Sequence, residues 1–224
     1  MNYHIDTGLI KEKFAENSEC PLCEIQKVAE KQFLHEFLND AVMADDCRIE
    51  VGKKGFCHEH FEKLFLGQNK LSVALQMETR LNKIDNLFLP VSSPSKAKKR
   101  AKEIENSLSS CVICDLLGES MTKYYKTVAQ LFAREKDFLK LLYNTKGFCM
   151  HHYAELLRYS SEAGFMAKDY LKVLADVQKR NIDRLKEELH GFCAKHDYRN
   201  ATAPLGNAET ALPRVGEKFY GKKN

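Results

Sequence analysis

Cys20-Pro21-Leu22-Cys23 followed by Gly55-Phe56-Cys57-His58-Glu59-His60, and Cys111-Val112-Ile113-Cys114 followed by Gly147-Phe148-Cys149-Met150-His151-His152, are two copies of one pattern. Cys20 and Cys23 map onto Cys111 and Cys114 at an offset of 91; Gly55, Phe56, Cys57 and His60 map onto Gly147, Phe148, Cys149 and His152 at 92. A single inserted residue reconciles the two registers. Self-similarity at one long period is read before any local propensity, because it decides how many structural units the chain repeats.

The repeat extends into the flanks. Each Cys-x-x-Cys leads into an apolar pattern of helical period: Ile25, Val28, Ala29, Phe33 and Phe37 in the first copy, Met121, Tyr124, Tyr125, Val128 and Phe132 in the second. Each Gly-Phe-Cys block runs into another apolar stretch, Phe61 to Leu66 and Tyr153 to Leu157. A longer amphipathic stretch then follows, through Leu71, Leu75, Leu81, Ile84 and Phe88 or through Leu171, Leu174, Ile182, Leu185 and Leu189. The only short strand candidate is Arg48-Ile49-Glu50-Val51. The expected fold is therefore all-α and internally duplicated. Residues 1–90 and 107–200 form the two repeats, the Pro-, Ser- and Lys-rich stretch 91–106 is a linker, and 201–224 is an irregular tail.

The repeated residues are metal donors. Zn²⁺ takes four tetrahedral ligands, and thiolate and imidazole suit its borderline softness. Cys-x-x-Cys supplies two sulfurs from one tight turn. Cys-x-x-His places the other two donors one helical turn apart on a common face. The glycine before each Phe-Cys suits a turn of positive φ, and a helix N-terminus favours the thiolate form of Cys57 or Cys149. Metal ligands are thus expected at Cys20, Cys23, Cys57, His60, Cys111, Cys114, Cys149 and His152, giving two zinc ions and a Cys₃His site in each half. Pairing within each half is the expectation; exchange, with Cys20 and Cys23 joining Cys149 and His152, is the alternative. Only His60 and His152 share the +3 position, so His58 and His151 are read as surface or supporting residues. His58-Glu59-His60 lacks the His-Glu-x-x-His spacing of a metalloprotease helix. A third block, Gly191-Phe192-Cys193-Ala194-Lys195-His196, has no Cys-x-x-Cys of its own. Cys193 and His196 are kept as an additional metal or redox pair, a degenerate repeat, or a partner for Cys47.

Composition limits what these sites can serve. The chain has 224 residues, 44% of them hydrophobic, with eight cysteines and a formal charge of +4. That is enough to bury a core. No apolar run approaches the ~20 residues of a membrane span, and the N-terminus lacks a secretory layout, so a cytoplasmic protein without membrane attachment is expected. In a reducing compartment cysteines point to metal or thiol chemistry rather than structural disulfides. Six thiolates on two Zn²⁺ would lower the charge from +4 to +2. Together with more than 30 residues between half-sites, that near-neutral balance argues against nucleic acid as the partner. The run Lys96, Lys98, Lys99 and Arg100 reads as a solvated surface.

The paired Cys-Pro-Leu-Cys and Gly-Phe-Cys-x-x-His blocks, with Asp197-Tyr198-Arg199 after the last helix, resemble an uncharacterised bacterial family with duplicated repeats of this kind. The resemblance covers about the first 200 residues. It implies a bacterial cytoplasmic setting and the duplicated architecture, and supplies no reaction. Three thiolates and an imidazole leave no open coordination position, which is how structural zinc behaves. The function expected is accordingly that of a non-enzymatic, zinc-stabilised module that binds a protein partner or regulates one. The alternatives are thiol-redox or iron–sulfur chemistry on the same cysteines, and a nucleic-acid-binding zinc protein.

Overall fold

A computed structural model describes residues 7–195 and 206–222. Among them there is no strand, and eleven α-helices follow in order: α1 (Thr7–Ala15), α2 (Pro21–Leu38), α3 (Asp45–Lys54), α4 (His58–Leu66), α5 (Lys70–Ile84), α6 (Pro94–Ser109), α7 (Val112–Arg134), α8 (Lys136–Asn144), α9 (Met150–Arg158), α10 (Ala167–Lys195) and α11 (Ala211–Tyr220). No described helix is long and apolar enough to cross a membrane. The fold is all-α, as the periodicity leads one to expect.

The chain divides into two compact units, residues 1–27 with 121–224, and residues 28–120. The cuts fall inside α2 and α7, so each unit draws on segments that the reading by repeats, 1–90 and 107–200, assigns differently.

In the unit of residues 1–27 and 121–224, α1 lies against α8, and α10 carries much of the interior with Tyr170, Leu174, Val177 and Leu185. Phe14 stacks at a tilt on Phe138 and Phe148, with ring centroids 5.2 and 6.0 Å apart, and Phe132 meets Tyr170 at 5.1 Å. These aromatic pairs add to the area they remove from water. They also fix Phe148 next to Cys149.

In the unit of residues 28–120, α3 packs along α5. At Gly52 on this seam a Cβ would be in ordinary contact with Thr79 Cγ2, at 3.4 Å. Helix α5 is unusual in what it buries. Its inward positions are Ser72, Val73, Gln76 and Arg80, while Leu71, Leu75 and Leu81, the apolar stripe of the sequence, are exposed. The polar groups face inward because they satisfy backbone ends that would otherwise be orphaned. Ser72 Oγ and Gln76 Nε2 both donate to the Phe37 carbonyl in the last turn of α2, at 3.0 and 2.7 Å. Asn69 caps α5 by accepting from Ser72 N.

Three local expectations need correction. Arg48-Ile49-Glu50-Val51 is helical, inside α3, with Asp45 and Asp46 in its first turn and Lys53 and Lys54 in its last, charges that suit the helix dipole. A strand would put Ile49 and Val51 on one face; here Val51 is buried and Ile49 is 56% exposed. The stretch read as a linker, 91–106, is mostly helix α6: Ser93 caps it by accepting from Lys96 N, and Pro94 sits at the start, where its missing N–H costs nothing. In the stretch read as an irregular tail, residues 206–210 form a 3₁₀ turn and 211–220 form α11. His196 and Asp197-Tyr198-Arg199 lie outside the described residues.

Candidate metal centres

The eight repeated donors come together in two groups, each confined to one unit. Cys20 and Cys23 meet Cys149 and His152; Cys57 and His60 meet Cys111 and Cys114. The expected pairing within each half is thereby overturned in favour of exchange. Closeness in sequence was a weak guide, because the entropy of closing a loop grows only with the logarithm of its length. Joining Cys23 to Cys149, 126 residues away, rather than to Cys57 costs only about 1 kcal/mol more. Contacts between the turns flanking the ligands easily outweigh that.

Both groups are built alike. Cys57 and Cys149 stand at the N-caps of α4 and α9 with nearly identical backbones, φ/ψ of −69/165° and −67/161°. Each carbonyl accepts the first helical hydrogen bond, from Phe61 N or Tyr153 N at 2.9 Å. This sends His60 and His152 back over the sulfur three residues earlier. The preceding glycines have φ of 67° (Gly55) and 81° (Gly147), and a Cβ would stand 2.9 Å from Arg80 Nε or Gln178 Oε1. On the other side, Cys20 and Cys111 immediately precede α2 and α7, and Cys114 N donates to Cys111 Sγ at 3.5 Å.

The spacing of the donors matches one small ion. Zn–S and Zn–N bonds of ordinary length put tetrahedral sulfurs ~3.8 Å apart and sulfur ~3.6 Å from nitrogen. Cys23 and Cys149 sulfurs are 3.7 Å apart, as are those of Cys57 and Cys114. His152 Nδ1 is 3.2–3.4 Å from the sulfurs of Cys20, Cys23 and Cys149; His60 Nδ1 keeps 3.2–3.4 Å from Cys57, Cys111 and Cys114. None of the cysteines is in a disulfide.

The electrostatics favour a cation at each centre. Burial pushes the Cys20 thiol well up, and its neighbours Cys149 and Cys23 add to the shift; burial and then the Cys111 charge do the same to Cys114. Three sulfurs in one small volume cannot all ionise side by side without positive charge between them. The histidines answer part of this need: against the effect of burial, Cys111 and Glu30 raise His60 to about 10, and Cys149 and Cys23 raise His152 to about 9. A divalent ion would answer the rest.

Behind the clustered donors lies a layer that the sequence did not announce. With Nδ1 turned to the sulfurs, each imidazole's Nε2 is free to donate outward: His60 to Glu30 Oε1 at 3.1 Å, His152 to Gln26 Oε1 at 3.0 Å. Such partners orient the ring and set its basicity. The hydrogen bond from His60, with Lys63 also 2.6 Å away, holds the Glu30 carboxyl down to about 2 although burial opposes it. Gln26 carries no charge, so the two histidines are supported differently.

Each pair of half-sites is also tied by a cationic side chain outside the donor set. Lys218, 2% exposed, donates to the carbonyls of Glu19 and Lys146, both at 2.6 Å, joining the turn before Cys20 to the turn before Cys149. Arg80 donates to Gly52 and Lys53 carbonyls at 2.9 and 2.6 Å and reaches Ser107, joining the segments before Cys57 and Cys111. Val112 N to Gly55 O and Ser110 Oγ to Lys54 O close the same seam. Gln178 grips Phe148 through both its N–H and its carbonyl, at 3.0 Å each.

The remaining candidates stay apart from both groups. His58 is exposed and pairs with Glu62; His151 is exposed beside the His152 ring. Cys193 is exposed on α10, and Cys47 is half-buried on α3.

A family model described as a family of unknown function, DUF6062, matches residues 1–224. The chain is also similar, at 26% identity over 190 residues, to an uncharacterised 23.9 kDa protein in the xynA 3' region of Caldicellulosiruptor sp. (strain Rt8B.4), covering 84% of this chain and 87% of that one. No solved structure matches it.

Proposed function

The chain belongs to the DUF6062 family of unknown function, and from that premise, with no relative's activity to borrow, we propose that it is a two-zinc protein whose metals are structural and whose surface engages a protein partner. The observation that carries this reading is the closure of each donor set: three sulfurs and one Nδ1, all within 4.8 Å of one another. Four protein donors fill a tetrahedral zinc and leave no place for the water or substrate that a catalytic zinc keeps. An iron–sulfur cluster is less well served, since it spreads its ligands over two or more irons, whereas all four donors of each set lie within 4.8 Å of one another.

Support for a protein partner comes from the unit of residues 28–120. Phe65, Leu66, Leu71, Leu81, Phe88 and Leu108 are all more than half exposed, and exposed apolar side chains in number mark interaction surfaces. Zinc binding at sites of this kind contributes on the order of 10 kcal/mol to folding, as much as the whole net stability of an ordinary domain. The test is elemental analysis and native mass spectrometry of protein purified without added metal. Two zinc ions per chain, and unfolding when a strong chelator removes them, are expected. Bound iron with visible colour, or a metal-free chain that melts unchanged, would refute the reading.

A further inference from the structure

The two ligand sets share donor types and differ in access. Cys20, Cys23 and Cys149 are 5, 6 and 1% exposed. Gly221, just past α11, lies over two of them: a Cβ there would be in van der Waals contact with Cys23 Sγ at 3.6 Å and Cys149 Sγ at 3.8 Å. In the other set Cys111 and His60 are buried, but Cys57 is half-buried and Cys114 is exposed. A thiolate reacts with an oxidant only where the oxidant can reach the sulfur in line.

Building on the two-zinc reading, we propose that the Cys57, His60, Cys111 and Cys114 centre is a hydroperoxide-reactive site that releases its zinc on oxidation, while the centre beneath Gly221 keeps its metal. Cys114 is the sulfur attacked and Cys57 the one that resolves it, their sulfurs being 3.7 Å apart. In the first step the Cys114 thiolate attacks one peroxide oxygen. The S–O bond forms, the O–O bond breaks, and hydroxide leaves, so that Cys114 becomes a sulfenic acid and is oxidised by two electrons. In the second step the Cys57 thiolate attacks the Cys114 sulfur, the S–S bond forms, and the S–O bond breaks with loss of a second hydroxide. Two thiolates and one hydrogen peroxide have become one disulfide and two hydroxides, which take up two protons from solvent to become water. A zinc ion held there would keep its oxidation state and would lose two of its four ligands. The sulfurs must close from 3.7 Å to the ~2.05 Å of a disulfide, a shift of side chains at the exposed edge of the centre.

The experiment uses the full chain with Cys193→Ser, which removes an exposed thiol that belongs to neither centre. Zinc is counted first; hydrogen peroxide is then added in steps, released metal is followed with a chromophoric chelator, and disulfides are mapped by mass spectrometry after alkylation. Two zinc ions at the start, release of one before the other, and a Cys57–Cys114 linkage in the released fraction are expected. Two at the start but lost together, or lost first with Cys20, Cys23 or Cys149 oxidised, would overturn the proposal and leave the two-zinc reading standing. A Cys111–Cys114 linkage would overturn the role given to Cys57. No zinc at the start would sink both.

Discussion

His60 and His152 occupy equivalent places in their centres, yet one rests on a carboxylate and the other on an amide. A carboxylate behind the ring makes imidazole a stronger donor, so Glu30→Ala should weaken zinc binding at the Cys57 centre by about 10- to 100-fold and leave the Cys149 centre unchanged. Competition with a chelator of graded affinity reads this as one zinc lost early and one late. A loss shared equally by both would show that Glu30 does not act through His60. Glycine gives a second residue-scale contrast. Gly147 has φ of 81° and no room beside Gln178 Oε1, so Gly147→Ala should lower stability by about 1–3 kcal/mol. Gly216 lies in α11 with nothing near its missing Cβ, so Gly216→Ala should raise stability by about 0.5–1 kcal/mol. Denaturant melts of the two variants should therefore shift in opposite directions. The eight clustered donors and the glycines Gly55 and Gly147 were legible because a repeated motif names its own residues. Gln26 and Glu30 were not, since nothing in local spacing marks a helical side chain as the outer partner of a histidine more than 25 residues away.

Helices α5, α6 and α11 show why elements were harder to read than ligands. Ser93-Pro94 marks a turn and also a helix cap followed by its first residue; only the register of α6 that follows separates the two meanings. In α5 the apolar stripe gave the right period and the wrong face, because Ser72, Gln76 and Arg80 are drawn inward by carbonyls of distant segments. Helix α11 carries one almost fully buried charge, Lys218, beside the ion pair of Arg214 with Glu188. Lys218 satisfies the Glu19 and Lys146 carbonyls and lies 3.2 Å from the Glu19 carboxylate, which Arg184 also holds at 2.7 Å. Lys218→Met keeps the length of the side chain and removes its donors. A buried and a part-buried carbonyl then lose a partner, and a loss of about 2–3 kcal/mol is expected from the cost of leaving such groups unmade. Thermal melting of the zinc-loaded protein checks it, and an unchanged midpoint would mean that α11 is held by its apolar face and by Arg214 on Glu188 without help from Lys218.

At the scale of the whole chain, the repeat predicts which donors cluster and says nothing of which half-sites meet. A duplicated sequence can close each half on itself or exchange, and both satisfy the same motif with the same donors. What separates them is the set of contacts made by the flanking turns: Lys218 on Glu19 and Lys146 in one unit, and Arg80, Ser110 and Val112 across the seam in the other. Exchange has a consequence in metal counts that pairing within halves cannot imitate. Cys20→Ser with Cys149→Ser removes two ligands from one centre, so the double variant should retain one zinc per chain and cooperative unfolding of the unit of residues 28–120. Cys20→Ser with Cys57→Ser removes one ligand from each centre and should weaken both. If halves closed on themselves, the two outcomes would change places, because Cys20 would share a zinc with Cys57 and not with Cys149. Native mass spectrometry of the two double variants, read against each single variant, distinguishes the arrangements without a measurement of structure, and it does so even where both variants lose stability.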